Sequence, residues 1–198
     1  MKTLLRLYSL IALFGLSLVT GTAQEAVKPT TPDTLTHNFR AEFLRQWDDF
    51  GNKMIALADA MPKDKYSWRP GVGVRSVGEV FAHVASGNFG FMKMIGVDLP
   101  SGIDRKSVDS LTDKEKIVEV LKKSFEHVRQ AIVKTADADF DKHAQIFGRE
   151  GTVREVFFLL ATHQPEHLGQ SIAYARMNGV VPPWTAERQA QQQPPVKK

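Results

Sequence analysis

The chain of 198 residues contains no cysteine. It therefore forms no disulfide and offers neither a thiolate metal ligand nor a cysteine nucleophile, so packing of the core has to hold the fold. Basic residues outnumber acidic ones by only 26 to 22, a formal net charge of +4. Because the basic residues do not cluster among aromatic ones, nucleic acid is not expected as a partner.

Long apolar runs are also scarce, and the one that stands out lies at the N-terminus. Residues 7–19 follow Lys2 and Arg6 and precede a group of small residues that ends at Ala23. This order is typical of a secretory signal peptide, and the run is shorter than the roughly 20 residues of a membrane span. We predict that residues 1–23 are cleaved, leaving a secreted or periplasmic protein without membrane attachment and with a net charge of +2.

The rest of the chain shows helical periodicity, and no segment shows the strict alternation of a strand. Apolar residues recur at three- and four-residue steps over four segments, which favours an all-α four-helix bundle. Three of the segments open with Ser or Thr followed three residues later by Glu, the pattern of a capping box. The predicted helix starts are Leu35, Ser76, Thr112 and Thr152.

The composition sets the domain boundaries. Residues 24–33 are polar with two prolines and are assigned to a flexible leader. Residues 34–185 form the bundle, in which residues 135–151 are an irregular connection with a short hairpin-like piece. Residues 186–198 are rich in Gln and Pro and are assigned to a disordered tail, cut off from the last helix by two prolines.

Three of the six histidines fall on the inner faces of predicted helices: His83 on the second, and His163 and His167 on the fourth. Residues four apart in a helix project about 6 Å apart from one face, and metal–imidazole bonds are about 2.0–2.1 Å long. Three histidines that leave one coordination position open are the arrangement of a catalytic metal site. The alternative is a hydrogen-bonded histidine cluster in a polar cavity.

The other histidines have ordinary interpretations. His127 lies beside the apolar stripe of the third helix and is predicted to be solvated. His143 lies in the polar connection, and His37 lies near the start of the first helix.

The string HQPEH at residues 163–167 also matches the H-x-x-E-H motif of inverted zincin peptidases. Such peptidases place the motif in mixed α/β domains and need a downstream acidic ligand, whereas only Glu187 follows here. A peptidase is therefore disfavoured. Glu166 stays a candidate general base, with a solvated or capping carboxylate as its alternative role. Pro165 removes an N–H and clashes with the preceding turn, so the helix is predicted to bend beside the histidines.

Two longer segments carry a family resemblance. They are MPKDKYSWRPGVGVRSVGEVFAHVASGNFGF (residues 61–91) and THQPEHLGQSIAYARMNGVVPPW (residues 162–184). Together they resemble the DinB-like family of bacterial helical bundles. The resemblance implies a four-helix bundle in which His83, His163 and His167 hold a divalent metal, and it makes a homodimer an expected partner state.

The expected function follows from the metal site. The wider superfamily includes thiol-dependent transferases and an isomerase, but their thiols are cytosolic and the predicted export separates this chain from them. We expect a metal-dependent hydrolase or transferase acting on a small molecule, with zinc, nickel or iron bound and Gln170 orienting a ligand. The alternative is a non-enzymatic metal- or ligand-binding bundle with a stress-related role.

Overall fold

The structure is a computed structural model that describes residues 32–192, with side chains from Phe39 onwards. The predicted signal peptide, most of the predicted leader and the last six residues of the predicted tail lie outside the described residues. The six helices of the described chain are α1 (Pro32–Ala60), α2 (Val77–Met94), α3 (Arg105–Asp109), α4 (Lys114–Lys134), α5 (Val153–Met177) and α6 (Pro183–Gln192).

The four long helices surround one core, which confirms the all-α class. Helix α1 packs against α4 and α5, and α2 packs against the same two helices, so each long helix has two long neighbours. Trp47 of α1 is 2% exposed, and its indole N–H donates to the backbone carbonyl of Phe125 on α4 at 3.0 Å. Phe43 stacks on the same indole with ring centroids 5.4 Å apart. The large ring is thus buried with its only polar group satisfied.

The start of α2 follows the sequence pattern completely. Ser76 Oγ accepts the backbone N–H of Glu79, and Glu79 Oε2 accepts the backbone N–H of Ser76 at 2.7 Å. This reciprocal capping box fixes the first turn, from which His83 follows two turns later.

The caps of α4 and α5 depart from the pattern. The predicted capping box at Thr112 is wrong, because Asp113 caps α4 by accepting the backbone N–H of Lys116 at 3.1 Å. Aspartate is at least as good an N-cap as threonine, so the helix starts one residue later. Thr152 does cap α5, but the carboxylate of Glu155 binds Arg149 instead of completing the box.

A two-stranded hairpin leads into α5 and confirms the predicted hairpin-like piece. Strand β1 (His143–Ile146) pairs antiparallel with β2 (Arg149–Thr152). The two turn residues between them both have positive φ, 50° at Phe147 and 85° at Gly148, as a type I′ turn requires. Because β2 ends on the residue that caps α5, the hairpin sets where α5 begins.

Two short helices are not apparent in the sequence pattern. Helix α3 has only five residues and lies between α2 and α4. Helix α6 begins at Pro183, so the predicted disordered tail is wrong for residues 186–192, which are helical. The proline pair had indicated a stop, but proline suits the first position of a helix, and Gln, Ala, Glu and Arg are good helix formers. In the described part of the chain, no helix combines the length and apolar character needed to cross a membrane.

Candidate metal centre

Two neighbouring helices bring the three predicted histidines together. His83 projects from α2, and His163 and His167 project from α5, which packs against α2. One ring nitrogen from each histidine lies within 4.8 Å of the others. Among the described side chains these three form the one group of three or more histidine or acidic residues close enough to share an ion.

The closest pair is on α5. The Nε2 atoms of His163 and His167 lie 3.0 Å apart, and the ring centroids lie 4.4 Å apart. Residues four apart on a helix are neighbours on one face, which accounts for this contact. The His83 ring completes the group, with centroids 4.8 Å from His167 and 5.5 Å from His163.

Gly87 makes room for His163 against α2. A β-carbon at position 87 would lie 3.1 Å from Cε1 of His163, closer than an ordinary van der Waals contact. The glycine follows His83 by one turn on the same helix face, so the His163 ring lies against bare backbone there. The ring also meets Phe91 of α2 edge-on, at a centroid distance of 5.6 Å.

Gln170 fixes the orientation of His167. Its Oε1 lies 3.0 Å from Nδ1 of His167, while its amide nitrogen donates to the Tyr174 hydroxyl at 3.1 Å. A neutral His167 therefore carries its proton on Nδ1 and directs the Nε2 lone pair at the other two histidines. Metal-binding histidines typically have such a partner on the second ring nitrogen. Tyr174 is buried and meets Trp68 edge-on at 5.5 Å.

The surroundings of His83 and His163 favour the neutral form of both rings. Burial, then the neighbouring His167 and His83, and then the charge of Arg75 lower the pKa of His163 from 6.5 to about 4. Burial also lowers the pKa of His83, helped by Arg75 and His167, while the Asp109 carboxylate acts in the opposite direction. Both rings are consequently unprotonated at neutral pH, the state in which imidazole binds a metal.

A buried polar chain, which the sequence patterns did not reveal, crosses the bundle beside the site. Gln164 is 0% exposed and donates from Nε2 to Oδ1 of Asn88 at 2.7 Å. Asn88 in turn donates to Ser124 Oγ at 3.0 Å, and Ser124 donates to the Leu121 carbonyl at 2.8 Å. This chain of hydrogen bonds joins α5, α2 and α4, and it starts at the residue that follows His163.

The remaining candidates lie apart from the histidine group. Glu166 is exposed and is not in the group, so its role as a base stays a prediction. Helix α5 continues through Pro165, and the bend predicted there stays a prediction.

The histidines outside the group, His127 and His143, have different environments. His127 was expected to be solvated, but it is half-buried against Phe89, with a centroid distance of 5.6 Å, because α4 turns this position towards α2. His143 is exposed and pairs with Glu150 across the hairpin. The side chain of His37 lies outside the described residues.

An all-α bundle with three convergent imidazoles defines the class of protein. The chain belongs to the DinB superfamily, whose sequence profile matches residues 46–171, a range that includes all three histidines. The resemblance noted in the sequence is thereby confirmed.

Solved structures show the same fold. A DinB-like protein from Bacillus cereus ATCC 10987 is 20% identical, with a TM-score of 0.64 over 71% of this chain and 93% of that one. A DinB-like protein from Bacillus subtilis is 21% identical, with a TM-score of 0.57 over the same shares of the two chains. No curated protein matches the sequence.

The spacing of the two histidines of α5 fits a divalent metal ion. Two imidazoles bound to one ion at 2.0–2.1 Å have their nitrogens about 3.0–3.4 Å apart, and the Nε2 atoms of His163 and His167 are 3.0 Å apart. The Nδ1 atom of His163 is buried and has no hydrogen-bond partner among the described residues. A shared cation would use the convergent lone pairs, and three imidazole ligands suit zinc, nickel or iron.

Proposed function

We propose that the chain is a metal-dependent enzyme, a hydrolase or group transferase that acts on a small molecule. The observation that carries the proposal is the convergence of three imidazoles from two helices, within 4.8 Å of one another. Three protein ligands leave a coordination position for water or substrate. A divalent ion held there would lower the pKa of a bound water molecule or polarise a substrate oxygen.

The side chains around the histidines have distinct tasks in this proposal. His83, His163 and His167 hold the ion, and Gln170 keeps His167 in the tautomer that binds it. Phe91 covers one side of the His163 ring and keeps water from that side. Glu166 is exposed, and a solvated carboxylate is the simpler account of it.

Export and a homodimer belong to the same proposal. The basic, then apolar, then small residues of segment 1–23 support a cleaved signal peptide and a periplasmic or secreted protein. The family resemblance supports a dimer, which light scattering of the mature protein tests directly.

One observation favours a second candidate, a non-enzymatic metal- or ligand-binding bundle with a stress-related role. Grooves of about 450 and 350 Å³ on the described surface are lined mainly from α4 and α1, and neither includes any of the three histidines. Substrate sites are usually concave and enclose most of a small ligand. Binding of a metal ion alone does not need such a groove.

Metal analysis of the purified mature protein tests the proposal. The wild type should carry one divalent ion per chain, and His83→Ala and His167→Ala should lose it. His143→Ala is the matched control, because it removes an exposed histidine outside the group. A wild type without stoichiometric metal, or His83→Ala with unchanged metal content, would refute the site. Metal that binds without any turnover of ester, amide or thiol-transfer substrates would favour the non-enzymatic alternative.

A further inference from the structure

Helix α2 presents a second glycine to a side chain from elsewhere in the chain. A β-carbon at Gly90 would lie 3.1 Å from Cζ and 3.1 Å from Nη1 of Arg105, which belongs to α3. Gly87, three residues earlier, receives the His163 ring in the same way. Three residues of α-helix rise about 4.5 Å, so Gly87 and Gly90 lie about one turn apart on the α2 face that carries His83.

A hydrogen bond to a neutral partner ties the exposed Arg105 side chain to α2. Nε of Arg105 donates to Ser86 Oγ at 3.3 Å, and Ser86 is 2% exposed. The adjacent Asp104 carboxylate is already occupied as the cap of α3, where it accepts from Lys106 and Ser107. Within the described residues no carboxylate forms an ion pair with Arg105. Its outer N–H groups are therefore free to bind an anion.

Two arginines lie on the elements around the site. Arg75 directly precedes Ser76, the cap of α2, and Arg105 is the first residue of α3. Asp109, at the other end of α3, is the one acidic residue of that helix. Positive charge near a site attracts an anionic ligand.

We propose that Arg105 recognises the substrate of this site and that the substrate is a small molecule with a carboxylate or phosphate group. The inference rests on the proposed metal-dependent function and names its substrate class. A guanidinium presents two parallel N–H donors that match the oxygens of a carboxylate or phosphate. Ser86 and Gly90 hold this fork against α2, about one turn from the glycine that receives the His163 ring.

Calorimetric titration with succinate and with inorganic phosphate tests the proposal and separates the two anions. The mature protein is titrated both loaded with zinc and metal-free, at constant ionic strength. Arg105→Gln should weaken binding of the preferred anion on the order of 10- to 100-fold, as expected when a charge-assisted bidentate pair is lost. Arg105→Lys keeps the charge but loses the pair of parallel N–H donors. Its affinity for the anion should lie between those of the wild type and Arg105→Gln.

Lys106→Gln is the matched control, because it removes the same charge one position further along α3. It should change the affinity less than about twofold, the effect expected of an exposed charge screened by salt. Equal losses in Arg105→Gln and Lys106→Gln would overturn the inference, as would a zinc-loaded wild type that binds neither anion. If Arg105→Gln lowers the melting temperature, the anion affinities of Arg105→Lys and Lys106→Gln are compared instead. A larger loss of affinity in Arg105→Lys supports the inference, and equal losses overturn it.

The two proposals fail separately. Metal binding without anion affinity that depends on Arg105 would refute the substrate class and leave the metal site standing. Anion binding that depends on Arg105 in a protein that takes up no metal would refute the metal-dependent function and leave Arg105 as an anion-binding residue.

Discussion

The buried chain of hydrogen bonds from Gln164 to Ser124 predicts that two similar substitutions lower the stability of the protein by unequal amounts. Asn88→Leu and Gln164→Met both replace an amide with an apolar side chain of similar shape, and both positions are 0% exposed. They differ in what they leave behind. Asn88→Leu leaves Nε2 of Gln164 without an acceptor, next to an Oε1 that already has no hydrogen-bond partner within the described residues.

Gln164→Met leaves one atom unpaired, Oδ1 of Asn88, but it also removes the unpaired Oε1. Each buried unsatisfied group costs about 1–3 kcal/mol. Asn88→Leu adds one unpaired group and should therefore lower the free energy of unfolding by about 1–3 kcal/mol, whereas Gln164→Met adds one and removes one and should lower it by less than about 1 kcal/mol. The double variant lacks both unpaired atoms of the Gln164 amide, so it should be more stable than Asn88→Leu alone by about 2 kcal/mol or more.

Urea denaturation of the metal-free mature protein measures all four species. The slope of the transition should be the same in each, which shows that the change is one of stability and not of the extent of unfolding. If Gln164→Met is the more damaging of the two, or if the double variant loses the sum of both single losses, the hydrogen-bond arrangement described for the chain is incorrect.

Three further outcomes are expected. Gln170→Leu should weaken zinc binding in chelator competition by about 10- to 100-fold, because His167 loses the partner that fixes its tautomer. Gly87→Ala should also weaken zinc binding by pushing against the His163 ring, whereas Gly169→Ala, with open space at its β-carbon, should leave zinc binding unchanged. Since the pKa of His163 falls from 6.5 to about 4 on folding, unfolded chains bind more protons between these values, so the metal-free protein should lose stability as pH falls from 6.5 towards 4. After allowance for solvent screening the loss should be about 1–2 kcal/mol, and it should be smaller in His163→Gln.

Each of these outcomes has a clear contrary result. Zinc affinity that is unchanged in Gln170→Leu would mean that the Gln170 contact does not orient His167. Equal zinc affinities in Gly87→Ala and Gly169→Ala would mean that the approach of α5 to α2 is not tight at position 87. Stability that is flat between pH 6.5 and 4, or that rises as pH falls, would contradict the neutral state of the buried ring.

The helices and the histidine group were predictable because the signals are local. A three- and four-residue period marks the inner face of a helix, and His83, His163 and His167 all fall on it. The Ser76 cap was predictable for the same reason, since its partner is three residues away. At α4 the local pattern predicts a cap at Thr112, which is wrong, because the adjacent Asp113 caps the helix.

The polar chain and the position of Arg105 were not predictable, because their partners are distant in sequence. Gln164 and Asn88 are separated by 76 residues, and nothing near either one indicates the pairing. Arg105 lies in a five-residue helix with no visible periodicity. The available signal was the pair of glycines in α2, Gly87 and Gly90, since glycine inside an otherwise apolar helix often marks a close approach.

X-ray absorption spectroscopy of the zinc-loaded mature protein tests the central claim most directly. The account predicts one zinc ion with three imidazole nitrogens at about 2.0–2.1 Å and a fourth, light-atom ligand. His83→Ala should lower the imidazole count to two. A zinc ion with one imidazole or none in the wild type, or an unchanged imidazole count in His83→Ala, would contradict a metal site built from His83, His163 and His167.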